Sequence, residues 1–115
     1  MKSDRPFLGH IADSIAAIES YVAAGQDAFL HQRITQDAVV RNFEIIGEAA
    51  GRLSRRVRAR PGVPWAKIIA FRNRLLHGYW SVDLLLVWDV ITTDLPVLRA
   101  EVARLLAELS DDPSG

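Results

Sequence analysis

Thr35-Gln-Asp-Ala-Val-Val-Arg-Asn-Phe-Glu-Ile-Ile-Gly-Glu-Ala-Ala-Gly51 is the stretch that decides the fold class. Its apolar residues Ala38, Val39, Val40, Phe43, Ile45, Ile46, Ala49 and Ala50, with Leu53 beyond, occupy most sides of a helix rather than one stripe. A helix of that kind has to be surrounded by neighbours, so it is expected at the centre of a bundle. Thr35 suits the N-cap and Asp37 the first turn, where the helix dipole favours an anion, with the end near Ser54. Gly47, Ala49, Ala50 and Gly51 are small enough for another helix to approach closely. Asp37, Arg41, Glu44 and Glu48 share one stripe, read either as an exposed ion-paired face or as a face toward a polar site. In the second case Glu44 and Glu48 are placed to support an arginine.

The same period continues on both sides. Leu8, Ile11, Ile15, Ile18 and Val22 mark a helix over about Phe7 to Val22, ended by Ala23-Ala-Gly25, and Asp27 to Arg33 adds a short turn. Arg55 to Pro64 reads as a basic loop set by Pro61-Gly62 and Pro64. Trp65, Ile68, Ile69, Phe71, Leu75 and Leu76 then recur at helical spacing as far as His77, and Gly78 is placed to end that helix in the left-handed conformation. Ser81 and Asp83 start a fourth helix with Val82, Leu84, Leu85, Leu86, Val87, Val90 and Ile91 mostly buried. At Pro96 either Asp94 caps a new helix or the chain kinks and continues. Leu95, Leu98, Val102, Leu105, Leu106 and Leu109 complete the last helix. No segment alternates like a strand. The expected architecture is all-α, a four- to five-helix bundle in one domain over residues 1–115, with a core of about 4–109 and a frayed tail at 110–115.

With 115 residues, half of them apolar, the chain can bury one real core. It has no cysteine, so disulfides and thiolate metal sites are excluded and a reducing, cytoplasmic setting is expected. No signal-peptide run and no membrane-length apolar stretch is present. Lys plus Arg and Asp plus Glu number 14 each. The balance hides a segregation, because Arg52, Arg55, Arg56, Arg58, Arg60, Lys67, Arg72 and Arg74 run without an acid among them. Such a segment is either a solvated surface or an attractor for a polyanion.

Chemistry concentrates in Phe71-Arg-Asn-Arg-Leu-Leu-His-Gly-Tyr-Trp80. His10, His31 and His77 lie scattered, so neither a protein-held metal nor any cofactor is expected. Arg72 and His77 stand about 140° apart at ~3.6 residues per turn, although both long side chains can lean toward one small anion. An arginine and a histidine suit RNA cleavage by the substrate's own 2′-hydroxyl. The imidazole takes the hydroxyl proton, and the guanidinium braces the equatorial oxygens of the phosphorane. One histidine cannot be both base and acid in one reaction, and a two-fold homodimer would supply the second. Asn73, Arg74, Arg55, Arg56 and Arg58 are the candidate substrate contacts. The competing assignment pairs Arg72 with Glu44 or Glu48 and leaves His77 as a helix cap.

Arg72-Asn73-Arg74-Leu75-Leu76-His77-Gly78-Tyr79 resembles the R-x4-H-x-Y motif of the HepT family of small HEPN-domain toxins. Thr35 to Ala49, Val63-Pro-Trp65, and Val82-Asp-Leu84 leading to Asp94-Leu-Pro96 resemble the family too, so the likeness covers about residues 4 to 109. The resemblance implies an all-helical homodimer, a metal-independent RNase toxin of a prokaryotic toxin–antitoxin pair, with Arg72 and His77 catalytic. It also implies a partner, an MntA-type minimal nucleotidyltransferase antitoxin that transfers AMP from ATP to Tyr79. A non-catalytic RNA- or nucleotide-binding subunit of such a complex is the alternative.

Overall fold

The computed structural model describes residues 3–78 and 83–110, and the regular structure among them is entirely helical. Helix α1 (Arg5–Tyr21) turns Leu8, Ile11, Ile15 and Ile18 inward, as its spacing predicts. A short α2 (Gln26–His31) follows Gly25, whose φ of 98° turns the chain. Helix α3 (Arg33–Gly51) is the centre of the bundle, packed against α1, α2 and α5. Helices α4 (Arg55–Arg58) and α5 (Trp65–Leu76) come next, and α6 (Leu84–Asp89), a π turn (Val90–Asp94) and α7 (Leu95–Ser110) complete the chain. Helix α7 lies against α1, so four long rods carry the core, as an all-α four- to five-helix bundle requires.

Two boundaries differ from the sequence reading and a third, left open there, is settled, each for a local reason. Helix α3 starts two residues before Thr35, because extended Gln32 occupies the N-cap position and its carbonyl accepts the Gln36 N–H at 3.0 Å. Asp37 accordingly leaves the first turn and meets Arg33 at 3.2 Å, while buried Gln36 donates to the Phe29 carbonyl at 2.9 Å and ties α2 to α3. The supposed basic loop begins as a helical turn: the Ser54 hydroxyl accepts the Val57 N–H at 3.3 Å and closes α4. At Pro96 the rod continues rather than breaks. Leu95 donates to the Val90 carbonyl, five residues back, and the widened turn relieves the clash a proline ring causes in an α-helix. The Thr92 hydroxyl lies 3.1 Å from the Trp88 carbonyl, on the rod's polar side.

Burial along α6 is also less than its composition suggests. Val87 and Ile91 are buried, whereas Leu85 is 65% exposed and Leu84, Leu86 and Val90 are half-buried. Leu76 at the end of α5 is 50% exposed. The rod packs on α2 and α1 and leaves its other side open along α5, so apolar residues there have no covering element among the described residues. Val82 and the helix start at Ser81 fall outside the described residues, as does the tail 111–115. Among the described residues no helix is long and apolar enough to cross a membrane.

Polar ties close the bundle at its ends. Ser54 donates from its N–H and its hydroxyl to the two Asp4 carboxylate oxygens, at 2.7 Å each. Arg99 reaches Glu19 at 2.8 Å, linking α7 to α1. Arg60 forks onto Glu108 of α7, and its hydrogen bond holds that carboxyl below the ordinary carboxylate range. A depressed folded-state pKa means stability that is present above the unfolded value and lost as pH falls through the folded one. Glu108→Gln should therefore lower the melting temperature at neutral pH, and the gap to the parent should begin to shrink as pH falls below about 4.3 and vanish only once the lowered folded-state value is passed.

Candidate active site

Helix α5 is seated by aromatic packing before it presents any polar group. Trp65 is buried at its start, and Phe71 meets Phe43 of α3 edge-on, with ring centroids 5.2 Å apart at 87°. One residue later the aliphatic stem of Arg72 lies on the bare backbone of α3 at Gly47. This seam buries the Arg72 Nε without a hydrogen-bond partner among the described residues, while Nη1 donates to the Asn73 side-chain oxygen at 3.0 Å. An unpaired buried donor on a charged group is unusual and needs a reason.

The competing assignment of Arg72 to an acid on α3 is not what the structure places there. Glu48 faces Arg52 at 3.7 Å, and Glu44 makes no ion pair among the described residues. Asn73 is engaged with Arg72, and Arg74 with Asp83 at 2.8 Å, so both expected substrate contacts already have partners within the chain. His77 occupies the C-cap position of α5, exposed, with its N–H directed to the Arg74 carbonyl at 3.3 Å. Gly78 follows at φ 78° and donates to the Leu75 carbonyl at 3.0 Å, ending the helix where its sequence position says it should. Tyr79 lies outside the described residues.

Folding divides the basic segment in two. Arg52 meets Glu48, Arg60 meets Glu108, Lys67 meets Asp94 at 3.9 Å and Arg74 meets Asp83. Arg55, Arg56 and Arg58 stand exposed on α4 with no ion pair, although Arg56 is near enough to help depress the Glu108 carboxyl. Arg72 is the fourth cation of the segment without an acid among the described residues. Apart from Glu48, four residues from Arg52, nothing local in the sequence separates these two sets, because the other acids arrive from positions 83, 94 and 108. An apolar cleft of about 330 Å³ runs between α5 and the α6–α7 rod, with Phe43, Phe71, Leu86 and Val90 in its walls and Arg74 at its edge. Among the described residues no group of three His, Cys, Asp or Glu side chains is arranged to hold a metal ion.

Residues 11–105 match the family model described as Ribonuclease HepT-like. A protein of Methanocaldococcus jannaschii, named as a gamma-glutamylcyclotransferase and candidate RNase, is 37% identical over 110 residues. That alignment covers 94% of this chain, which spans 50% of the relative's length. A Thermococcus cleftensis protein named as a probable ribonuclease HepT is 33% identical, covering 90% of this chain and 96% of the relative. A candidate RNase of Caldanaerobacter subterraneus subsp. tengcongensis is also 33% identical, over 92% and 96% of the two chains. No solved structure matches the chain with significance.

The turn after His77 yields a direct test. A side chain at φ 78° is strained, and among the described residues nothing lies within 4 Å of a Cβ there, so backbone conformation sets the cost. Gly78→Ala should destabilise by about 1–2 kcal/mol, read as a lower urea midpoint with an unchanged slope.

Proposed function

The chain belongs to the family of HepT-like ribonucleases, and on that premise we propose that it cleaves RNA at Arg72 and His77 as a metal-independent toxin. The observation that carries this reading is Arg72: a guanidinium fixed by the α3–α5 seam, with a buried Nε unpaired and no acid beside it among the described residues. Donors held ready for an anion suit a transition state whose negative charge spreads over phosphoryl oxygens. Asn73 steadies one edge of the guanidinium. Arg55, Arg56 and Arg58 track the RNA backbone as exposed charges.

In the proposed reaction the substrate 2′-oxygen gives up its proton to the His77 imidazole and attacks the adjacent phosphorus. Arg72 stabilises the phosphorane, and the bond from phosphorus to the 5′-oxygen breaks. The products are a 2′,3′-cyclic phosphate and a 5′-hydroxyl, whose proton comes from a second acid. A two-fold homodimer provides that acid as the other copy's His77. The exposed Leu76, Leu85 and Val97, together with the apolar cleft beside α5, support such an association.

Purified protein incubated with RNA and EDTA tests the assignment. His77→Ala should lose cleavage while keeping RNA affinity, because a neutral imidazole adds little charge. Replacing Arg55, Arg56 and Arg58 together should weaken binding and reduce its log–log salt slope by up to roughly 2, at about 0.7 per single-strand phosphate contact. RNA binding with no cleavage by the parent at any pH would favour the non-catalytic subunit instead.

We further infer that Tyr79 is the acceptor through which an MntA-type nucleotidyltransferase silences the toxin. It stands two residues from His77, and an attached AMP adds a phosphodiester charge and an adenosine where the substrate phosphate must enter. Tyr79→Phe should stay toxic when co-expressed with the antitoxin, and intact-mass spectra should show AMP on the parent only. Modification of the Phe variant would place the acceptor elsewhere.

A further inference from the structure

We propose that Gly47 is the positioning residue for Arg72, resting on the catalytic assignment of Arg72 above. A Cβ at position 47 would lie 2.1 Å from the Arg72 Cβ, 2.5 Å from its Cγ and 3.3 Å from its Cδ. Ordinary carbon contacts sit at roughly 3.5–4.0 Å, so even a methyl group requires about 1.5 Å of retreat. The atoms in the way are the root of the side chain, not its flexible end. A change of χ angles therefore cannot provide the retreat, and the α5 backbone has to move.

Glycine is the poorest helix former after proline, so one buried in the interior of α3 needs a packing reason. Gly51 and Gly9 supply the contrast, since a Cβ on either meets nothing within 4 Å. The stem of Arg72 thus uses the missing side chain as its track. Contact along that track keeps Nε inside the seam and leaves Nη1 on Asn73, which fixes the direction of the guanidinium. Without it the head would be carried outward with α5, away from the α3 surface that sets its direction.

The test compares Gly47→Ala with Gly51→Ala, and both with Arg72→Ala, in RNA cleavage and thermal melting. Misplacement by about an ångström costs on the order of 100-fold in rate, so kcat of Gly47→Ala should fall between tenfold and 100-fold. RNA affinity should stay within threefold, because the arginines of α4 are untouched. Gly51→Ala should match the parent. Melting supplies an independent sign: Gly47→Ala lowers the midpoint beside Arg72, but raises it in an Arg72→Gly background, where the obstructing Cβ is gone and only helix propensity remains.

Should Gly47→Ala fail to fold, the double variant with Arg72→Gly must fold for the seam to stand. A Gly47→Ala protein that melts lower yet cleaves at the parental kcat overturns the positioning role. So does one that melts lower in both backgrounds alike. If Arg72→Ala cleaves as fast as the parent, the catalytic assignment of Arg72 is what fails. If Arg72→Ala is inactive and Gly47→Ala is normal, only the role of Gly47 fails.

Discussion

Close contact between α3 and α5 governs the rest of this molecule. On one side of the seam Phe43 and Phe71 meet edge to face, and on the other the Arg72 stem rides over Gly47. The two contacts are four residues apart on α3 and adjacent on α5, so together they fix both separation and rotation of the helices. Because α3 also packs against α1 and α2, the rotation of α5 is referred to the whole core rather than to a loop. Sites on packed helices hold their geometry better than sites on loops. Arg72 and His77 receive that rigidity, at the body and at the end of α5 respectively.

Charge is sorted by the fold in a second step. A basic segment that runs acid-free along the chain becomes a mixed surface once α6 and α7 bring Asp83, Asp94 and Glu108 alongside. Exposed pairs of this sort contribute little stability, typically below ~1 kcal/mol. Their larger consequence is subtraction. By neutralising Arg60, Lys67 and Arg74 they confine unpaired cations of the segment to α4 and to Arg72. A net charge of zero is thus compatible with a local polyanion-binding surface.

Period-based features were legible before any coordinates. The inward rows of α1, α3 and α7, the central place of α3, and the glycine stop at Gly78 all follow from spacing and steric rules that act within a few residues. What escaped depends on groups distant in sequence or on competition between local motifs. Thr35 is a good cap, but Gln32 wins because the buried bond from Gln36 to Phe29 pulls the start of α3 back. Pro96 left two outcomes open, and the π turn at 90–94 selects continuation, since a wider turn costs less than breaking the rod inside the bundle. Leu85 reads as core by type, yet no element among the described residues covers it. Gly47 was legible as small, but its partner was not: which of four small residues carries the close contact depends on the rotation of α5. Partners of Arg60, Lys67 and Arg74 were likewise invisible, because they stand at positions 108, 94 and 83, unlike Glu48, which is four residues from Arg52.

The unpaired Nε of Arg72 is costly on its own terms. A buried donor without a partner forfeits roughly 1–3 kcal/mol, and a glutamate at the seam would recover it. Such a glutamate would also occupy the guanidinium and compete with every phosphate that approached. At the C-terminal end of α5 the dipole already disfavours an anion, by ~0.3–1 kcal/mol. A paired arginine would leave nothing to overcome that, whereas a free one offers charged hydrogen bonds of about 1.5–3 kcal/mol. On the proposed assignment, stability lost at the seam would be recovered as attraction when a substrate phosphate arrives. Natural sites commonly trade stability for function in this direction. On that view the absence of an acid beside Arg72 is as much a part of the site as the histidine at position 77.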